Sequence, residues 1–210
     1  MMTVADRTLV KICGLTSTGE AEVLRRCGAD MAGMVLFFEK SKRCIGLDRA
    51  AEIMAKLGDI KKVAVTVSPT AEQLRAISAA GFDYVQIHGA VEEEALAAAE
   101  IPVIKAFNVT DIDTLPEWQA RENVAGYVFD AAEYGSGKVF DWRLLEAVPR
   151  DGRLFILAGG LTPDNVRNAI DAVRPDAVDV SSGVEYKDRP GKDPQLIERF
   201  IAAAARCQRT

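Results

Sequence analysis

Lys11 and Cys13 stand two residues apart at the end of an apolar run, Leu9 to Cys13, that breaks into Gly14-Leu15-Thr16. In a strand, residues two apart share a face, so an ammonium and a thiol become neighbours. A free thiol titrates at about 8.5, and a nearby cation lowers that value toward the thiolate that serves as base or nucleophile near neutral pH. The alternative for this pair alone is a small buried cysteine beside a lysine whose head reaches water.

Two later segments have the chemistry of anion binding. Leu157-Ala158-Gly159-Gly160-Leu161-Thr162-Pro163 turns from an apolar run into a helical pattern through two glycines, and Asp179-Val180-Ser181-Ser182-Gly183-Val184-Glu185 leaves the last apolar run in a similar way. Glycines let backbone amides approach an anion, and a helix start favours negative charge. Gly159, Gly160, Ser181, Ser182 and Gly183 are therefore the candidate phosphate ligands. The basic stretch Phe38 to Arg43 holds a guanidinium, Arg43, suited to bidentate capture of a carboxylate, with plain solvated charge as the alternative. Glu133 to Lys138, with two glycines, reads as a cover for the same mouth.

The elements that must hold these residues alternate along the whole chain. Strand patterns fall at Leu9–Cys13, Met31–Phe37, Lys62–Val67, Tyr84–His88, Pro102–Phe107, Tyr127–Asp130, Leu154–Ala158 and Ala177–Val180. Helical patterns fall at Ser17–Cys27, Asp48–Leu57, Thr70–Ala80, Glu92–Ala99, Thr114–Ala120, Asp141–Val148, Pro163–Val173 and Pro194–Cys207. Thr162 and Pro163 suit a helix start, and Gly28, Gly58 and Gly81 suit helix ends. Strands joined through helices run parallel, and near-continuous apolar strands are buried on both faces. Eight such units in 210 residues predict an α/β fold, a single (β/α)8 barrel domain over residues 1–210, with a doubly wound open sheet as the alternative.

Carrying the Lys11–Cys13 alternation through the other strands collects Lys11, Cys13, Gln86, His88, Lys105, Asp130, Asp179 and Ser181 on the inward face. Unpaired buried charges cost several kcal/mol each, so these groups must compensate one another. Most lie near the C-terminal strand ends, where barrels of this kind keep their active sites.

The rest of the composition narrows the class. Apolar residues make up 49% and charged residues 27%, which is ordinary for a globular protein. A net charge of −5 with both signs interspersed argues against a nucleic-acid face. Cys13, Cys27, Cys44 and Cys207 have neither metal-site nor disulfide-scaffold spacing, and His88 is the sole histidine, so the expectation is no metal and a reducing cytoplasm. Met1 to Arg7 is short and polar, and no stretch approaches the roughly 18 apolar residues that span a bilayer, so no membrane association is expected.

With these residues in place, the chain resembles phosphoribosylanthranilate isomerase of tryptophan biosynthesis. The resemblance rests on VKICGLT at Val10 to Thr16, KSKR at Lys40 to Arg43, QIHG at Gln86 to Gly89, VIKA at Val103 to Ala106, GSGKVFDW at Gly135 to Trp142, GGLTPDNV at Gly159 to Val166 and VDVSSGVE at Val178 to Glu185. It implies an Amadori rearrangement of N-(5-phosphoribosyl)anthranilate without metal or organic cofactor. It also implies that Asp130 is the general acid on the ribose ring oxygen, Cys13 the general base at C2 and Arg43 the holder of the anthranilate carboxylate. Lys11, His88 and Asp179 are assigned to substrate binding beside them, with a structural network as the alternative. The expected partner is a small phosphorylated aminosugar, met by a monomer or homodimer. An acid and a base acting at one pH require opposed shifts, the carboxyl raised from about 3.9 and the thiol lowered by Lys11 or another cation.

The chain departs from the family pattern at Glu39, often proline, and at Ala131, often serine or threonine. Competing readings are weaker on their residues. An indole-glycerol-phosphate synthase wants a catalytic lysine and glutamate with an extra N-terminal segment. A histidine-pathway isomerase wants aspartates where Cys13 and Lys105 stand, and a non-catalytic barrel predicts loss of Cys13 or Asp130.

Overall fold

The computed structural model describes residues 7–130, 142–145 and 148–205. Eight parallel strands close in chain order: β1 (Leu9–Cys13), β2 (Met31–Val35), β3 (Lys61–Val67), β4 (Tyr84–His88), β5 (Val103–Asn108), β6 (Val124–Asp130), β7 (Leu154–Ala158) and β8 (Ala177–Val180). β8 pairs back onto β1, which removes both sheet edges and rules out the open sheet. Helices α1 (Thr18–Cys27), α2 (Leu47–Leu57), α3 (Ala71–Ala79), α4 (Glu93–Ala97), α5 (Leu115–Gln119), α6 (Val166–Val173) and α7 (Pro194–Ala205) complete the described (β/α)8 architecture.

Local chemistry sets the ends of these elements. The Ser17 hydroxyl accepts from the Glu20 amide, while the Glu20 carboxylate accepts from the Ser17 amide, a reciprocal cap that starts α1. Glu20 also accepts from the backbone amides of Thr16 and Lys192, so one buried carboxylate ties the loop after β1 to the loop after β8. Pro116 is accommodated because it falls in the first turn of α5, where a missing N–H costs no helical bond. α6 begins at Val166 rather than Pro163. Thr162 does not cap it, because the Thr162 amide is turned into the Asn165 side chain and residues 163–165 form a turn. In the sixth unit, the described part of the expected helix is a 3₁₀ turn at Trp142–Leu145.

Two apolar shells result. Leu9, Met31, Val63, Ile104, Val128, Ile156 and Ala177 fill the barrel, while residues such as Val10, Ile12, Met34, Phe107 and Phe129 meet the helices. This division corrects one strand. On β5 it is Ile104 and Ala106 that face inward, so Lys105 belongs to the helical layer with Val103 and Phe107. Both alternations of that strand are apolar apart from the lysine, so the pattern could not choose between them. The Lys105 ammonium is satisfied by the carbonyls of Gly89 and Ala106 and lies over the rings of Phe107 and Trp118; burial pulls its pKa down to about 8.

Candidate active site

At the C-terminal mouth, Cys13, Gln86, His88, Asp130 and Asp179 line one cavity together with Gly159, Gly160, Ser181, Ser182 and Gly183. Lys11 lies one layer deeper, fully enclosed, and Arg43 stands beside the rim. Lys105 is the one residue of the expected inward set that faces the helices instead of the barrel interior. The expected cover, Glu133 to Lys138, and Ala131 lie outside the described residues.

Cys13 ends β1 opposite Gly33 of β2. A Cβ on Gly33 would come within 2.8 Å of the Cys13 sulfur and 3.2 Å of the Lys11 Nζ, so the missing side chain is the space the thiol occupies. Gly33 escaped the sequence reading because a glycine inside a strand reads as weakness rather than room. Gly33→Ala is expected to keep the barrel folded and lower kcat by about 10²-fold, as small displacements of reacting groups do. Parental turnover in a folded variant would show that the space at Gly33 does not position the Cys13 thiol for catalysis.

The Lys11 Nζ is 2.7 Å from Asp179 Oδ2, with both residues in register across the β1–β8 pair. Burial opposes the charge on Lys11, but Asp179 and then Cys13 outweigh it and hold the lysine above its ordinary pKa. Removing one member of such a pair strands the other charge. Lys11→Met is expected to cost about 3–5 kcal/mol of stability, read from chemical denaturation. A loss below about 1 kcal/mol would show that Asp179 is compensated some other way.

The expectation that Lys11 lowers the Cys13 pKa holds in direction and fails in sum. Burial is the largest influence and raises the thiol; Lys11 lowers it, Asp179 raises it and Lys192 lowers it, leaving Cys13 above its ordinary value. The thiol is therefore protonated at neutral pH. His88 is pushed down to about 4 by burial and by the fields of Lys11 and Lys105, so it presents a neutral ring. Gln86 Nε2 lies 2.7 Å from His88 Nε2, and because an amide nitrogen can only donate, that ring nitrogen accepts. Gln86 Oε1 and Asp179 Oδ1 are buried without a hydrogen-bond partner among the described residues, and both residues line the cavity. Unmet acceptors of this kind suit ligand hydroxyls. Asp130 ends β6, half-buried, in register with Asn108 of β5 and Ala158 of β7.

On the other side of the cavity the seventh and eighth loops meet. A side chain on Gly183 would collide with the Leu161 carbonyl, and Ser182–Val184 forms a short 3₁₀ turn. Ser181 donates its hydroxyl to the Cys13 carbonyl at 3.0 Å, joining the loop after β8 to the thiol-bearing strand. Lys192, absent from the sequence reading, reaches this junction. Its Nζ donates to the Ser181 carbonyl at 3.0 Å and to the Ser181 hydroxyl at 3.2 Å, and it pairs with Glu185 at 3.0 Å. The run Tyr186 to Asp193 looks like a solvated charged loop. A Glu185–Lys192 antiparallel bridge folds it back into the protein, which leaves Lys192 3% exposed.

Arg43 does not line the cavity wall. Its stem crosses Gly14, directly after Cys13, where a Cβ would collide with it, and its guanidinium is paired with Glu185. Glu185 holds Arg43, Lys42 and Lys192; burial opposes its charge, but these three cations bring its pKa down to about 2.

Fold and mouth define the class: a (β/α)8-barrel enzyme with its polar groups at the C-terminal ends of the strands. The family model described as N-(5'phosphoribosyl)anthranilate (PRA) isomerase matches residues 10–203. The chain belongs to that family and is an isomerase. It is 43% identical to the N-(5'-phosphoribosyl)anthranilate isomerase of Syntrophomonas wolfei over 92% of this chain and 96% of that one. A solved structure of phosphoribosyl anthranilate isomerase in complex with reduced 1-(o-carboxyphenylamino)-1-deoxyribulose 5-phosphate superposes with a TM-score of 0.80 at 36% identity, covering 94% of this chain and 98% of that one. The dimeric phosphoribosylanthranilate isomerase of Thermotoga maritima, solved as generated monomers, gives 0.80 at 35% identity with the same coverage.

Proposed function

We propose that this isomerase converts N-(5-phosphoribosyl)anthranilate into 1-(2-carboxyphenylamino)-1-deoxyribulose 5-phosphate, with Asp130 as acid and Cys13 as base. Asp130 gives its proton to the ribose ring oxygen as the C1–O bond breaks, and the anthranilate nitrogen's lone pair forms the Schiff base. Cys13, ionised, takes the proton from C2. The electron pair left behind moves toward the iminium nitrogen, and the resulting enolamine tautomerises to the ketone. No metal or organic cofactor enters these steps.

The observation that carries this reading is that Cys13, Asp130 and the glycine- and serine-bearing loops of units seven and eight share one cavity wall. Phosphate held by Gly159, Gly160, Ser181, Ser182 and Gly183 leaves the pentose between acid and base, the positional part of catalysis. Asp179 and His88 offer a carboxylate oxygen and a neutral ring to the sugar. Lys11 acts from below, through Asp179 and Cys13. Arg43 receives the anthranilate carboxylate with the guanidinium edge that Glu185 leaves open.

Adding the purified protein to phosphoribosylanthranilate is expected to abolish the substrate's fluorescence in a catalytic first-order decay; no decay would overturn the assignment. Arg43→Ala is expected to raise KM by about 10- to 100-fold with a much smaller change in kcat, because the lost contact anchors rather than reacts. An unaltered KM would argue against carboxylate binding there.

The proposed partner is this small phosphorylated aminosugar alone, without nucleic acid or membrane, and the proposed assembly is a monomer or homodimer. Free thiols at Cys13, Cys27 and Cys44 support a cytoplasmic setting. Among the described residues, no helix is long and apolar enough to cross a membrane.

A further inference from the structure

Arg43 reaches the rim with half of its hydrogen-bonding edge already engaged. Its Nε lies 2.5 Å from Glu185 Oε1 and its Nη2 lies 3.1 Å from Glu185 Oε2, so the carboxylate takes the side-on fork of the guanidinium. A guanidinium carries five donors in a plane, and this contact leaves the Nη1 end. Among the described residues no acceptor stands on Nη1. Glu185 is itself fixed from two other sides, by Lys192 at 3.0 Å to Oε1 and by Lys42 at 3.0 Å to Oε2. Lys192 has a side chain 1% exposed and is anchored to Ser181, so the carboxylate is braced against the phosphate loop. Lys42 is largely exposed and Glu185 is nearly buried, which puts the fixed support on the inner side. At the other end, the Arg43 stem is pressed onto Gly14.

We propose that Glu185 is a positioning residue that holds Arg43 side-on, so that the Nη1 end of the guanidinium faces the carboxylate of the bound substrate. The inference rests on the reading of Arg43 given above. Two geometries are open to a second carboxylate at this arginine, and they have opposite consequences. If the substrate displaced Glu185 from the side-on fork, removing the Glu185 charge would tighten binding. If Glu185 orients the fork, removing its charge frees the guanidinium to pivot and weakens binding. The second geometry is favoured because Glu185 has three cationic partners and a buried brace, which make it a poor group to displace. Planar bidentate recognition is also lost when the plane is free to turn.

The test uses two ligands and four proteins. Dissociation constants are measured by calorimetry for reduced 1-(o-carboxyphenylamino)-1-deoxyribulose 5-phosphate and for its phenylamino counterpart, which lacks the carboxylate, with the parent, Glu185→Gln, Glu185→Asp and Arg43→Ala. The parent is expected to prefer the carboxylated ligand by about tenfold or more, and Glu185→Gln to lose most of that preference while binding the phenylamino ligand within about twofold of the parent. Glu185→Asp, one methylene shorter, draws the carboxylate back from the Nε and Nη2 donors and is expected to show a severalfold smaller preference than the parent; it carries the test if the glutamine variant does not fold. A preference kept in full by these variants, a tighter carboxylated complex, or equal weakening of both ligands would overturn the role of Glu185. If the parent and Arg43→Ala bind the two ligands with the same ratio, the fault lies instead in the carboxylate reading of Arg43.

Discussion

Replacing Cys13 with serine is expected to lower kcat by about 10³-fold while ligand affinity stays within about threefold. The sulfur is proposed only to accept the C2 proton, so it contributes in the transition state and little in the ground state. In the proposed binding mode phosphate and carboxylate are anchored elsewhere, and serine fills less volume than cysteine in the space beside Gly33, so affinity is expected to persist. A serine hydroxyl gives up its proton far less readily than a thiol, which removes the base without removing its shape. The burial that raises the Cys13 pKa makes the loss larger, since the same site disfavours an alkoxide even more. The measurement is steady-state turnover of phosphoribosylanthranilate together with the dissociation constant of the reduced product analogue. Turnover close to the parent's would take the proton abstraction away from Cys13, and a large loss of affinity would make Cys13 a binding group instead.

The barrel was legible because each unit carries its own signals. β1, β4, β7 and β8 have the bounds that their apolar runs predict, since each run is flanked by a turn or a capped helix. Ser17 and Glu20 announce the start of α1 in four residues. Failures occurred where two answers were equally apolar or where contacts are distant in sequence. β5 is the first kind: Val103 and Phe107 are as apolar as Ile104 and Ala106, so a lysine that looked like site chemistry drew the strand to the wrong face. Lys192 is the second kind. Nothing within its charged neighbourhood predicts a side chain 1% exposed; its burial follows from the bridge to Glu185 and from a Glu20 carboxylate 172 positions away. The Lys11–Asp179 pair spans 168 positions, yet both residues fell on the inward face because each alternates with a second polar residue at the mouth, Cys13 on β1 and Ser181 after β8. The sign of the Cys13 shift required the whole surrounding field: neighbouring cations were visible in part, while the depth of burial that outweighs them was not.

Replacing Asp130 with asparagine is expected to reduce kcat/KM by about 10³-fold or more and to change the shape of its pH dependence. In the proposed mechanism, turnover requires a protonated carboxyl at Asp130 and an ionised thiol at Cys13 in the same molecule, so the rate follows the product of two fractions. An ordinary carboxyl titrates at about 3.9 and an ordinary thiol at about 8.5, and Cys13 lies above the ordinary thiol value. While the thiol titrates above the carboxyl, rising pH between the two values gains thiolate as fast as it loses acid. The parent's kcat/KM should therefore be level across neutral pH, falling below the carboxyl's ionisation and above the thiol's. Asparagine keeps the size and polarity of the side chain but has no proton to give, so one of the two fractions disappears. What activity remains should climb by about tenfold per pH unit until Cys13 is ionised, at a pH above the ordinary thiol range. Combining Asp130→Asn with Cys13→Ser should abolish that climb. A fully active Asp130→Asn enzyme would exclude the carboxyl from ring opening, and a residual rate independent of pH would mean that the base left behind is not the thiol at the end of β1.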